Sequence, residues 1–495
     1  MKLKSFLFCS LILFLFIGKV WANFPISKDT KTCLACHQTI TPGIVADWRK
    51  SLHAQITPEE ALKKPPLARR ISTSHLPEDK KNVVVGCAEC HTLNPDAHQD
   101  TFDHNGFKVH VVVTPKNCAI CHPKEVKEYE HNLMSKAHRN LKNNIVYHGL
   151  VEASLGPQKL ENGKLVYLPS HPLTKDDACF SCHGTKVEVK GLTWRETPMG
   201  KMKFPVLSGW PNQGTGRINP DGSEGACTSC HPRHSFSIEI ARKPYTCAQC
   251  HKGPDVPAYK VYVVSKHGNI FKSQEKQWNF KAVPWKVGED FNAPTCATCH
   301  VSLLVDKKGS VIAERTHQMN DRSAWRLFGL IYAHPHPKEA DTTIIKNKAG
   351  LPLPTELTGE PVMEFLIDKK EMARRQARMK RVCYACHSTN WVEGFFARLN
   401  KTIETTNQQT LAATQIVLMA WKEGLAEGPP SSIFDETIEK MWVEQWLFYA
   451  NSVRFASAMG GADYGVFANG RWFLNKNLQA MKDWLEFKRR AKKKD

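Results

Sequence analysis

The chain has 495 residues, 41% of them hydrophobic, and 68 Lys and Arg against 48 Asp and Glu give a formal charge of +20. Its length would ordinarily imply two or three domains. No apolar run beyond the N-terminus is long enough for a membrane span, and no nucleic-acid motif accompanies the positive excess.

The first 22 residues read as a secretory signal. Lys2 and Lys4 form its basic start, Phe6 to Ile17 its apolar stretch, and Val20-Trp21-Ala22 its small-residue cleavage site. The apolar run is short for a membrane anchor, so the mature chain is expected to begin near Asn23 and to be exported to the periplasm. Cys9 lies within this signal, too far from the cleavage region to serve as a lipidation site.

The other sixteen of the seventeen cysteines fall in eight copies of Cys-x-x-Cys-His. In chain order these are Cys33-Cys36-His37, Cys87-Cys90-His91, Cys118-Cys121-His122 and Cys179-Cys182-His183, then Cys227-Cys230-His231, Cys247-Cys250-His251, Cys296-Cys299-His300 and Cys383-Cys386-His387. A bare Cys-x-x-Cys suits zinc or a thiol–disulfide pair. With His following every time, the pattern points to covalent haem: two thiols one turn apart add to the porphyrin vinyl groups, and the histidine binds the iron. Eight c-type haems are expected. Removing Lys2, Lys4 and Lys19 with the signal takes the charge from +20 to +17, and sixteen propionate charges would leave about +1. The basic excess is therefore read as propionate counter-charge.

Porphyrins supply much of the apolar interior in such chains, so loops rich in Pro, Gly, Asn and Lys are expected to wrap them. Segments 156–164, 209–225 and 350–361 have that character. The fifth and sixth motifs stand only twenty residues apart, which places their haems side by side. After His387 the periodicity becomes helical, over 390–421 and over an aromatic-rich 432–491, with breaks at Gly428-Pro429-Pro430 and Gly460-Gly461. The fold class expected is mainly α: a multihaem cytochrome c with a haem-packed region of little regular structure, followed by long C-terminal helices. The boundaries are 1–22 signal, 23–388 catalytic region and 389–495 helical region.

Each motif supplies one axial histidine, and an electron-carrying haem needs a second. Of 22 histidines, fourteen lie outside the motifs, so seven caps and one open iron are permitted. Local contexts that suit helical presentation nominate His53, His234, His267 and His317 as second ligands, with His138 or His131 as a weaker choice.

The order and content of several segments resemble the octahaem hydroxylamine oxidoreductases. They are PGIVADWRKSLHA, GCAECH leading through HQDTFDHNGFKVHVVVTP to CAICHP, RHSFSIEIARKP before the sixth motif, and HKGPD and SKHG after it. The resemblance implies a periplasmic enzyme, often a homotrimer, with seven bis-histidine haems wired to one five-coordinate haem. In that family the substrate haem belongs to the fourth motif, which carries the role to Cys179, Cys182 and His183. The family's distal pocket has an Asp-His pair after the sixth motif; here Asp255 is kept and Val256 replaces the histidine. Hydroxylamine oxidation releases protons, and losing an imidazole removes a good acceptor. Asp255 is the remaining shuttle, although a carboxylate capping a turn fits the same position.

Members that oxidise hydroxylamine carry a C-terminal tyrosine bonded to the substrate porphyrin, and relatives without it reduce nitrite or nitric oxide. Tyr464 and, less well, Tyr449 are the candidates; a packing role in an aromatic helix fits both. With Val256, this leans the expectation slightly towards reduction. Ammonia-forming nitrite reductases use Cys-x-x-Cys-Lys, and octahaem sulfite reductases use a motif with widely separated cysteines; this chain has neither. The alternative is a non-catalytic conduit with every iron six-coordinate. A small cytochrome or a quinone-linked membrane cytochrome is the expected redox partner.

Overall fold

The computed structural model describes residues 25–494. The signal segment and Cys9 lie outside the described residues. The fold is mainly α, about 46% helical, and its sheets are small: four two-stranded pairs and one of three strands. Among the described residues no helix is long and apolar enough to cross a membrane.

Between the motifs the chain forms short helices and hairpins. One hairpin pairs Thr101–His104 with Phe107–His110 across Asn105 and Gly106, at φ +48° and +81°. Both turn positions demand positive φ, which Asn-Gly tolerates, and the primed turn matches the twist of the strands. His104 is thereby fixed at the end of the first strand.

Past the last motif the helix Thr389–Lys422 runs for 34 residues. Its buried positions Val392, Phe396, Leu399, Ile403, Thr406, Thr410, Ala413, Val417 and Ala420 alternate steps of four and three. That is the seam of a coiled-coil-like packing. Gly424, at φ +61°, ends it in the left-handed conformation that side chains resist. The seam packs with Ile438, Trp442, Trp446, Met481 and Leu485 of the following helices and with Val146, Leu330, Ile331 and Tyr332 of the preceding region.

The continuous reading of 432–491 is corrected in detail. The first helical stretch, Thr437–Val443, widens into a π-helical turn over Glu444–Tyr449 before Ala450–Met459 resumes α geometry. Gly460, at φ +72°, ends that helix as the sequence suggests. A second interruption separates Ala462–Val466 from Arg471–Lys492. There a Cβ on Gly470 would stand 2.0 Å from the carbonyl oxygen of Gly465, so the backbones meet as only glycine permits.

Candidate functional site

The motifs sit on single helical turns. Cys87–His91, Cys179–His183 and Cys296–His300 are five-residue helices, and the first motif lies within Lys28–Ile40. One turn brings thiols three apart onto one face. Thr30 ties the first two motifs together: its Oγ1 donates to Glu89 Oε2 at 2.7 Å and accepts from the Ala88 amide at 3.1 Å. None of the sixteen described cysteines is paired in a disulfide, and all of them, with the eight motif histidines, line one continuous cavity of about 3060 Å³.

The lining fits haem in three respects. Its size is one: small-molecule pockets run to about 300–1,000 Å³. Its imidazoles are another. Burial pushes the pKa of His53 and His231 down to about 4 and that of His317 to about 3, so they are neutral, as metal ligation requires. The third is charge. Arg217, Arg242 and Arg322 are buried, line the cavity and, among the described residues, form no ion pair; they donate to amide and carbonyl oxygens such as Asn219 Oδ1, Phe280 O and Thr298 O. Burial drives Arg242 to about 9 and Arg217 to about 10. Uncompensated buried cations call for anionic partners, and propionates supply them.

Thiol proximity orders the motifs in space. Cys118 lies within hydrogen-bonding reach of Cys227, Cys182 of Cys250, and Cys247 of Cys296. At slightly longer range, Cys87 feels Cys33, Cys90 feels Cys121, Cys230 feels Cys247, and Cys299 feels Cys383. The motifs therefore run one, two, three, five, six, seven, eight, with the fourth branching from the sixth.

A metal–imidazole bond of about 2 Å, plus roughly 1 Å from nitrogen to ring centre, sets trans imidazole centroids about 6 Å apart. Five motif histidines face a second ring at that spacing: His37 and His104 at 6.0 Å, His122 and His53 at 6.2 Å, His91 and His234 at 6.5 Å, His231 and His317 at 6.5 Å, His387 and His267 at 6.0 Å. His91 also has His110 at 5.9 Å, but its Nδ1 is 2.9 Å from the His110 carbonyl oxygen, so His110 flanks the side away from an iron on Nε2. His234 holds its place at φ +66°, a strained conformation of the kind that collects at functional sites.

His53, His234, His267 and His317 are thus each set opposite a motif histidine. His138 is not. Its Nδ1 lies 2.6 Å from the Gly184 carbonyl oxygen and its ring packs on Phe180, while the alternative His131 engages the Lys127 carbonyl at 2.8 Å. Sequence reasoning missed His104, and also His336, which lines the cavity within range of the His300 charge.

Among the described residues no facing ring pair involves His183, His251 or His300. Asp255 lies beside the first two, exposed to the cavity, and its charge reaches His183, Cys179, Cys182 and His251. Its backbone is held by Asn451, whose Nδ2 donates to the Asp255 carbonyl at 2.9 Å. Val256, in the position of the family histidine, also lines the cavity. Arg326, which sequence reasoning passed over, acts on His183 from the same neighbourhood. Tyr464 is buried with Val261 and Ala456. Tyr449 stacks on Phe473 at 5.7 Å and donates to Glu444 Oε2 at 3.1 Å. Both pack against neighbouring helices.

The fourth motif is seated by glycines. Gly184 has φ +91°, and a Cβ there would stand 2.2 Å from the Arg217 amide nitrogen; one on Gly216 would stand 2.6 Å from the Ala137 and His138 nitrogens. Gly184→Ala is expected to cost about 2–5 kcal/mol through left-handed strain and overlap. Haem stoichiometry and ferric spectra should show the damage confined to the fourth-motif haem.

Comparison with known proteins agrees with this architecture. A profile described as "Seven times multi-haem cytochrome CxxCH" matches residues 220–321, and one described as "Cytochrome c554 and c-prime" matches 117–203. A solved structure titled "Hypothetical multiheme protein" is 45% identical, covers 95% of this chain and 98% of its own, and superposes with a TM-score of 0.88. The chain belongs to the multihaem cytochromes c. A "Probable nitrite reductase-hydroxylamine oxidoreductase fusion protein" of Kuenenia stuttgartiensis is 24% identical over 83% of this chain, which spans 40% of that protein's length. The Kuenenia stuttgartiensis reducing HAO-like protein complex shares the fold, with a TM-score of 0.63 at 19% identity over 94% of this chain and 86% of that one. As a multihaem cytochrome c, this protein carries covalently bound c-type haems.

Proposed function

We propose that the protein is a periplasmic octahaem oxidoreductase acting on small nitrogen species, with substrate at the haem of Cys179 and Cys182 and seven other haems carrying electrons. The bound haems would supply the redox chemistry. Oxidising hydroxylamine to nitric oxide releases three electrons and three protons. Reducing nitrite to hydroxylamine consumes four electrons and five protons and releases one water. The observation carrying the proposal is the contrast between five motif histidines that face a second imidazole and His183, whose neighbourhood offers Asp255 and Arg326 instead. His251 and His300 share the lack of a facing ring; the family resemblance favours His183 as the open site. His37 with His104, His91 with His234, His122 with His53, His231 with His317 and His387 with His267 would hold five of the haems, and His336, within range of the His300 charge, is the candidate partner for a sixth.

In this reading Asp255 moves protons through its carboxylate, within reach of cavity water. Asp255→Asn should slow turnover about tenfold or more, short of the roughly 10²–10⁴-fold of a fully enclosed acid–base group, with unchanged haem content. An unaffected rate would remove Asp255 from the reaction. The reductive direction is supported by Val256 and by the packing partners of Tyr464 and Tyr449. A proteolytic haem peptide of Cys179–His183 cross-linked to either tyrosine would reverse that direction. Redox exchange with a small cytochrome or a quinone-linked membrane cytochrome, and assembly as a homotrimer, follow the same family logic.

The deciding experiment pairs ferric-state spectroscopy with two assays on one preparation: hydroxylamine with an electron acceptor, and nitrite with a donor. A high-spin ferric haem together with turnover is the expected result. Complete absence of a high-spin haem in folded protein would make the chain an electron conduit.

A further inference from the structure

We propose that Arg326 binds the anionic substrate, nitrite, in the fourth-motif pocket, which makes it the residue that favours nitrite over hydroxylamine. This rests on the open-iron reading above. Arg326 is fixed by a short strand pair in which Trp325 opposes Pro335 and Arg326 opposes His334. It lines the cavity, and its charge acts on His183, His334 and His336. Its Nε is buried without a hydrogen-bond partner. One terminal nitrogen is 3.4 Å from the Tyr147 hydroxyl, and the guanidinium carbon stands 5.2 Å from the Phe328 ring centre. Among the described residues it forms no ion pair.

The buried cavity arginines Arg217, Arg242 and Arg322 spend their donors on amide and carbonyl oxygens. Arg326, half-buried, keeps an N–H free near His183, one of the three motif histidines without a facing imidazole. His334, directly across the strand pair, is buried, and its Nε2 is also without a partner. A cation with an unused in-plane donor, next to an imidazole, is a seat for a small planar oxyanion. Nitrite gains from that charge; hydroxylamine, neutral near pH 7, does not. A haem propionate offers the same carboxylate-like chemistry, and the test separates the two.

Oxidised full-length holoprotein is titrated with sodium nitrite, following the ferric spectrum, for wild type, Arg326→Gln, Arg326→Lys and Tyr147→Phe; KM for hydroxylamine and haem reduction potentials are measured alongside. Loss of one charge-assisted contact, worth about 1.5–3 kcal/mol, corresponds to roughly 10–100-fold in affinity. Arg326→Gln should therefore raise the nitrite Kd at least about tenfold and flatten its dependence on ionic strength. Arg326→Lys should recover part of the loss, and Tyr147→Phe should weaken nitrite a few-fold should the glutamine variant fail to assemble. The hydroxylamine KM should move much less than the nitrite Kd. An unchanged nitrite Kd overturns the proposal. Equal weakening of both substrates, with a shifted potential of one haem, also overturns it and assigns Arg326 to a propionate. A wild-type protein whose spectrum ignores nitrite would instead sink the open-iron reading itself, a failure visible before any variant is made.

Discussion

Made in cells that do not attach haem, or with its motif cysteines replaced by serine, the chain is expected not to reach this fold over residues 25–388. The cavity is the reason. Without haem, the apolar walls of a cavity of about 3060 Å³ lose their packing partners and face water, against a typical net stability of only about 5–15 kcal/mol. Outside the C-terminal helices the apolar clusters are smaller, such as Leu34 with Val45, Trp48, Ala54 and Val84, or Tyr262 with Phe271, Phe280, Trp285, Phe291 and Leu304. The most extended cluster joins Ala413, Val417, Ile438, Trp442, Trp446, Met481 and Leu485. Limited proteolysis of haem-free protein should thus digest the motif-bearing region first and release a helical fragment from beyond residue 388. A haem-free chain that resists protease throughout and keeps the native hydrodynamic radius would show that the haems are passengers in the fold.

What the sequence made legible follows from how local each signal is. The thiol and imidazole of each motif sit within one turn, so their placement along one cavity needed no long-range information. His53, His234, His267 and His317 stand beside recognisable helical or turn contexts, and the structure sets each opposite a motif histidine. His104 was overlooked because helical presentation was sought. The Asn105-Gly106 pair beside it is a hairpin signal that would have placed it on a strand end. His336 and Arg326 owe their positions to the pairing of residues 325–326 with 334–335 and to packing against distant motifs, and two-residue strands leave no periodicity to read. The π-helical turn at Glu444–Tyr449 escaped for the opposite reason: the apolar pattern runs through it unbroken, while the extra residue shifts which side chains face inward. Trp446, Leu447 and Phe448 from that turn all line the cavity.

Arg454→Met is expected to disable the pocket while leaving most of the haems in place. Arg454 is completely buried in the helix Ala450–Met459 and, among the described residues, pairs with no carboxylate. Burial pushes it down to about 9, so it remains a cation at neutral pH. One terminal nitrogen donates to the Leu327 carbonyl at 3.1 Å and to Asn451 Oδ1 at 3.2 Å, and the other to Asn407 Oδ1 at 2.7 Å. Those contacts join three walls of the fourth-motif region. Asn451 holds the Asp255 backbone, Leu327 follows Arg326, and Asn407 brackets Ala333 through its amide and carbonyl at 3.1 and 2.9 Å. Two energies compete in the substitution. Methionine relieves the desolvation of an uncompensated cation, worth several kcal/mol, yet strands two buried acceptors, the Leu327 carbonyl and Asn451 Oδ1, at about 1–3 kcal/mol each. They nearly cancel, so stability should change by no more than about 2 kcal/mol, while the geometry that aims Asp255 and Arg326 is lost. Turnover should fall about 100-fold, consistent with the sensitivity of catalysis to displacements near 1 Å. Spectra of the six-coordinate haems should be unchanged, and Arg454→Lys, which keeps the charge without the fork, should rescue little. Full turnover in Arg454→Met would show that the Asp255 loop and the Arg326 strand hold their places without this buried cation.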